Sequence, residues 1–129
     1  MKISLQNKKA LIGGSSKGLG FAVAEQLALS GAQVTIVSSN ERLLKERVLA
    51  LNKKTALKHN FLVCDYNDHE SYAKKISEYF DVNTIDKLVN NTQVPIAGDV
   101  NSESLNDYQN AFDLLFKNTV FTTMLAIEH

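Results

Sequence analysis

The residues with the clearest chemical potential in this 129-residue chain lie in the stretch Ala10-Leu-Ile-Gly-Gly-Ser-Ser-Lys-Gly-Leu-Gly20. Gly14, Gly18 and Gly20 follow an apolar run, Lys9 to Ile12, and open an amphipathic segment carrying Phe21, Val23, Ala24, Leu27 and Ala28. A strand, a glycine turn and a helix in that order bring main-chain N–H groups and the positive end of a helix to one point, a cradle for a diphosphate. The G-x-x-x-G-x-G spacing gives a turn that needs no Cβ, close approach of an anion, and tight helix–strand packing. Other polar groups fall at the ends of apolar runs: Ser38, Ser39 and Asn40, then Cys64-Asp65-Tyr66, then Asn90-Asn91. No competing chemistry is well supported. His59, His69 and His129 have no metal-ligand spacing, so no metal site is expected, and Cys64 in an apolar strand reads as a small hydrophobe.

These residues need a scaffold, and the pattern supplies one. Strands are predicted near 8–14, 33–38, 60–65 and 86–90, and helices near 18–30, 41–53 and 69–80, with a long helix from about 104 to the end. Gly31 suits the end of the first helix. Asn40, Asp68 and Ser102 or Ser104 suit the starts of the later ones. Strands alternating with helices of this length mean βαβ units, a parallel sheet and right-handed crossovers. The chain, residues 1–129, is one domain by size. Its 44% hydrophobic content is enough for a core, and Lys plus Arg balance Asp plus Glu at 14 each. That balance, with no basic patch, argues against nucleic acid as a partner. No apolar stretch is long enough for a membrane span and no secretion signal is evident, so a membrane partner is not expected. The single cysteine points to a reducing cytoplasm.

In the last helix, Leu105, Tyr108, Ala111, Phe112, Leu115, Phe116, Thr119 and Val120 fall at spacings of three and four, and Phe121, Met124, Leu125 and Ile127 continue the pattern to Glu128-His129. Asn118 falls within it. The glycine turn, Cys64-Asp65, Leu88-Val89-Asn90-Asn91 and Asn118 together, in this order, resemble the N-terminal half of short-chain dehydrogenases/reductases, over the whole chain. The resemblance implies an α/β, Rossmann-like doubly wound parallel sheet with strand order 3-2-1-4, truncated before the later strands.

It also implies roles. The turn Gly14 to Gly20, with Ser16, Lys17, Gly18 and Leu19 inside it, would hold the diphosphate and adenosine ribose of a nicotinamide dinucleotide. Asp65 would face the adenine, helped by the main chain of its neighbour Tyr66; capping a strand end is an equal reading of Asp65. Asn90 and Asn91 match the first half of the family's Asn-Asn-Ala-Gly motif, although Asn90 could serve only buried main-chain groups. Asn118 matches the helix asparagine that positions a water in the family's proton relay, and an uninvolved helix residue is its plain alternative. Two departures stand out: Gly13-Gly14 replaces Thr-Gly at the start of the turn, and Thr92-Gln93 replaces Ala-Gly.

Cofactor choice follows from charge. An acidic residue about twenty positions after the turn would accept from the 2′-hydroxyl of NAD. Here the second strand ends Val37-Ser38-Ser39-Asn40, without a carboxylate before Glu41. Lys17 with Ser38, Ser39 and Asn40 suits a 2′-phosphate instead, so NADP(H) is expected over NAD(H). The family's Tyr-x-x-x-Lys pair is absent. Tyr72 and Lys75 are three apart, in the third helix, and are expected at the surface. The chain is therefore expected to be the NADP(H)-binding portion of an oxidoreductase acting on a carbonyl or alcohol, inactive alone. A non-catalytic dinucleotide-binding regulator or subunit is the alternative. An open fourth-strand edge and a bare face on the last helix predict self-association.

Overall fold

The computed structural model describes residues 2–129. Strands β1 (Lys9–Ile12), β2 (Gln33–Ser38), β3 (Asn60–Val63) and β4 (Lys87–Val89) alternate with helices α1 (Gly18–Leu29), α2 (Glu41–Thr55) and α3 (His69–Val82). After β4 the chain runs through a long loop into α4 (Leu105–Phe112), a π-helical turn (Asp113–Lys117) and α5 (Asn118–Glu128). All strand pairs are parallel and the order is β3-β2-β1-β4, as the resemblance implies. The strands are shorter than expected. β1 ends at Ile12 because the turn begins at Gly13, and β3 ends at Val63 because Asp65 already starts a turn.

Alternation along β1 and β2 divides the core between the two faces of the sheet. Ala10, Ile12, Val34 and Ile36 pack with Ala24 and Ala28 of α1 and Leu44, Val48 and Leu51 of α2. Leu11 and Val37 face the other way, with Cys64 just after β3, with Tyr72, Ile76 and Phe80 of α3, and with Leu114. Small residues on the inner line of α1 (Gly20, Ala24, Ala28) let that helix lie close to β1. Gly31, at φ +101°, ends it: Ala32 N–H donates to Leu27 O and Gly31 N–H to Ala28 O, a Schellman closure. Side chains cap α2, α3 and α4: Asn40 accepts from Leu43 N, Asp68 from Ser71 N, and Ser104 from Asp107 N.

Two expectations are corrected here. Tyr72 is not a surface residue. With Ile76 and Phe80 it forms the buried line of α3, its ring lies 5.1 Å from that of Tyr66, and its hydroxyl meets Thr122 Oγ1 at 2.6 Å. The last helix is not one uninterrupted helix either. The π turn divides it, and the line it buries is Leu114, Asn118 and Thr122 rather than the apolar stripe through Phe112, Phe116 and Val120. That stripe is exposed.

Candidate functional site: a cleft at the switch of the sheet

β2 and β3 lie on one side of β1 and β4, reached from β3 through α3, on the other, so the strand order reverses at β1. In doubly wound sheets a ligand crevice opens at that point, beyond the carboxyl ends of the strands. A cleft of about 650 Å3 opens there, lined by the glycine turn, the β2–α2 loop, Tyr66 and residues 91–94 after β4. The turn itself is tied down on both sides. Gly13 N–H donates to Val89 O at 3.0 Å and Ser15 N–H to Val37 O at 2.9 Å. Buried Ser15 adds a second tie, its Oγ donating to Ile12 O at 2.6 Å and accepting from Val37 N at 2.9 Å.

The glycines act as the spacing requires. A Cβ on Gly20 would collide with the Gly14 carbonyl oxygen and approach Asn91 Nδ2 to 2.7 Å. Gly18 differs: at φ +57° it is left-handed, and nothing stands within 4 Å of where its Cβ would be. It therefore faces open space at the start of α1. That start has no side-chain cap and no acidic residue in its first turn, unlike α2, α3 and α4. The first N–H groups of α1 thus have no partner within the helix and no side chain to accept them. They sit at the positive end of its dipole, beside the cleft.

Of the sequence-predicted residues, Gly14, Ser16, Lys17, Gly18, Leu19, Gly20, Ser38, Ser39, Asn40, Tyr66 and Asn91 line this one cleft. Asn40 spends its Oδ1 on the α2 cap and its N–H on Ser38 Oγ at 3.2 Å. Asn91 bridges from β4 to the turn, its Nδ2 donating to Gly14 O at 3.0 Å. Asp65, Asn90 and Asn118 stand outside the cleft. Asp65 is exposed and accepts from Asn67 N at 2.9 Å, closing the turn after β3. Asn90 donates to Thr123 Oγ1 at 2.9 Å and lines a neighbouring open cleft with Gln93, Pro95, Leu115 and Thr119. Asn118 is buried. Its Nδ2 donates to Tyr66 O at 2.9 Å, and its Oδ1 lies 2.6 Å from His69 Nδ1.

The sequence reading missed several contributors. Arg47 reaches from α2 to donate from Nε to Ser16 O at 3.0 Å, its guanidinium 4.6 Å above the Phe21 ring. Leu43, Thr92, Gln93 and Val94 complete the cleft wall, and Thr92 Oγ1 donates to Leu114 O within the π turn. His69, Tyr72 and Thr122 surround Asn118. Thr122 Oγ1 donates to the Asn118 carbonyl at 2.9 Å and so accepts from the Tyr72 hydroxyl. Burial pushes the Tyr72 phenol up to about 12 and the Cys64 thiol up to about 12. Cys64 is therefore an inert core residue. Among the described residues no group of His, Cys, Asp and Glu is placed to hold a metal, and no helix is long and apolar enough to cross a membrane.

An open parallel sheet with helices on both faces, and an uncapped helix start at its switch point, is the architecture of dinucleotide-binding α/β proteins. The family model for short chain dehydrogenases matches residues 8–129. The 3-oxoacyl-[acyl-carrier-protein] reductase of Chlamydia muridarum is 33% identical over 95 residues, covering 73% of this chain and 38% of the relative. Meso-2,3-butanediol dehydrogenase of Serratia marcescens is 27% identical over 124 residues, 95% of this chain and 48% of the relative. Among solved structures, L-sorbose reductase of Gluconobacter frateurii, complexed with NADPH and L-sorbose, superposes with a TM-score of 0.89 at 24% identity, over 99% of this chain and 49% of its own. The chain belongs to the short chain dehydrogenase family, and it spans less than half the length of these relatives.

Proposed function

We propose that the cleft binds a nicotinamide dinucleotide, NADP(H) in preference to NAD(H). On this reading the chain is the cofactor-binding portion of an oxidoreductase that moves hydride between that cofactor and a carbonyl or alcohol substrate. The observation that carries the reading is the uncapped start of α1 opening into a cleft of about 650 Å3, with Gly18 facing open space. The cleft is within the size usual for cofactor sites, and the residues present fit the group. L-sorbose reductase, which shares the fold, holds NADPH in its crystal structure.

The main-chain amides at Gly18, Leu19 and Gly20 take the diphosphate, and Asn91 keeps the turn in shape for it. Lys17, Ser38, Ser39 and Asn40 surround the adenosine 2′ position, where no carboxylate lines the cleft. The first acid beyond, Glu41, is paired with Lys45 at 2.6 Å. A 2′-phosphate gains charge-assisted hydrogen bonds there. Asp65 and Tyr66 bound the adenine side and Asn90 and Asn91 the nicotinamide side, while buried Asn118, bonded through Nδ2 to Tyr66 O and through Oδ1 to His69, supports Tyr66 in place of the expected water-holding role. When bound, the dinucleotide supplies or accepts the hydride. A cytoplasmic setting suits the single buried thiol. Self-association through the exposed stripe of α4 and α5 is part of the same reading.

Calorimetric titration of the chain with NADPH and NADH tests the site. We expect NADPH to bind more tightly, and Lys17→Glu to weaken NADPH by at least about tenfold more than NADH, the scale of one lost charge-assisted contact. Absence of binding by either dinucleotide overturns the reading. Equal losses for both remove the NADP(H) preference.

A further inference from the structure

Position 13 carries no side chain that could steady the glycine turn, and none can be added: a Cβ on Gly13 would collide with the Asn91 carbonyl oxygen. The space beside Gly13 is taken by a group distant in sequence. The Tyr66 hydroxyl would stand 3.2 Å from that Cβ, and it accepts the Gly14 N–H at 2.9 Å. Tyr66 is only 4% exposed, although it follows directly on exposed Asp65.

Everything around the phenol holds it at that point. Its ring packs on Tyr72, whose own hydroxyl is fixed by Thr122 of α5. Its main-chain carbonyl accepts from Asn118 Nδ2. The hydroxyl thus arrives at the turn on a support built from α3 and α5. Burial raises the phenol well above the usual tyrosine range, chiefly by desolvation, so it stays neutral. We infer that Tyr66 is a positioning residue: its hydroxyl anchors the Gly14 amide and so sets the glycine turn in the shape that receives a diphosphate. The effect on ligand rests on the dinucleotide reading above, whereas the anchoring does not.

The two are separated by experiment on the 129-residue chain. Hydrogen exchange by NMR, without ligand, should show the Gly14 amide protected at least about tenfold relative to exposed Lys17, the factor that corresponds to one retained hydrogen bond. Tyr66→Phe keeps the ring and removes only the hydroxyl. Gly14 should then exchange about tenfold faster, and NADPH and NADH should weaken alike, by about five- to tenfold, because the diphosphate is common to both. Tyr79→Phe removes another part-buried hydroxyl of α3, one that donates to Thr35 Oγ1 of β2 at 3.2 Å and is no part of the support beneath Tyr66. It should lower stability without moving Gly14 exchange or dinucleotide affinity.

An unprotected Gly14 amide in the unaltered chain overturns the inference, with no variant needed. So does Tyr66→Phe that leaves exchange unchanged, or that speeds exchange while affinity for a bound dinucleotide stays the same. If the unaltered chain binds neither dinucleotide, the functional reading falls and the exchange comparison alone decides the anchoring.

Discussion

Two glycines of the turn ask for glycine on different grounds, and substitution separates them. Gly18 is left-handed but faces open space, so Gly18→Ala meets only the backbone cost of a left-handed L-residue, about 1–2 kcal/mol. Gly20 has ordinary backbone but no room, because its Cβ would meet the Gly14 carbonyl and Asn91. Gly20→Ala should cost about 2–3 kcal/mol as overpacking, and should displace the turn as well. Urea unfolding of both variants, with Gly20→Ala no worse than Gly18→Ala, would contradict this account of the turn. Arg47 is a quieter case. Its hydrogen bond to Ser16 O and its stacking on Phe21 support the turn from α2, so Arg47→Met should lower stability by about 1–2 kcal/mol. A change within about 0.3 kcal/mol in urea unfolding would mean that the contact contributes nothing.

Between elements, His59 makes a pH-dependent seam. Its Nδ1 accepts Val34 N–H of β2 at 3.1 Å, so that nitrogen carries no proton. Its Nε2 meets Thr55 Oγ1 of α2 at 2.7 Å; the threonine's own proton goes to Leu51 O, so Nε2–H is the donor. The ring is bonded as the neutral imidazole, and burial lowers its pKa below the ordinary 6.5. The unfolded chain takes up the proton first as pH falls. The contribution is therefore full above about pH 6.5 and is lost as pH drops towards the depressed folded value. Melting temperature should fall between pH 6.5 and 5 in the unaltered chain and less steeply in His59→Asn, whose carbonyl can still accept from Val34; parallel slopes would refute the assignment. Such seams are hard to read in a sequence because their partners lie on separate elements. The glycine turn, the caps at Asn40 and Asp68 and the βαβ order are legible because each need is met locally. The buried line Tyr72-Ile76-Phe80 has helical spacing and is legible too, once Tyr72 is not weighed only for its distance from Lys75. The buried line of the last helix is not. Leu114, Asn118 and Thr122 are chosen by Tyr66, His69 and Tyr72, about fifty residues away, while the more apolar stripe points outward.

For the molecule as a whole, that outward stripe sets the strongest expectation about behaviour in solution. Leu105, Phe112, Phe116, Val120, Met124 and Ile127 are all exposed along one run of α4, the π turn and α5, with Phe116 at 57% and Ile127 at 80%. Phe112 and Phe116 stack on each other at 5.2 Å, presenting a preformed aromatic surface. An apolar run of this extent rimmed by charged residues is a mark of protein contacts. The outer edge of β4 is a weaker candidate, only three residues long and opened by Lys87. The formal charge is zero at pH 7, so no net repulsion opposes association. We therefore expect the chain to self-associate through the stripe. Light scattering should give a mass above the monomer that rises with concentration. Phe116→Glu with Met124→Glu should return it to the monomer while leaving dinucleotide binding intact, because neither side chain lines the cleft beyond the carboxyl ends of β1 and β2. A monomer at every soluble concentration would overturn the expectation, as would a double variant that associates as readily as the unaltered chain.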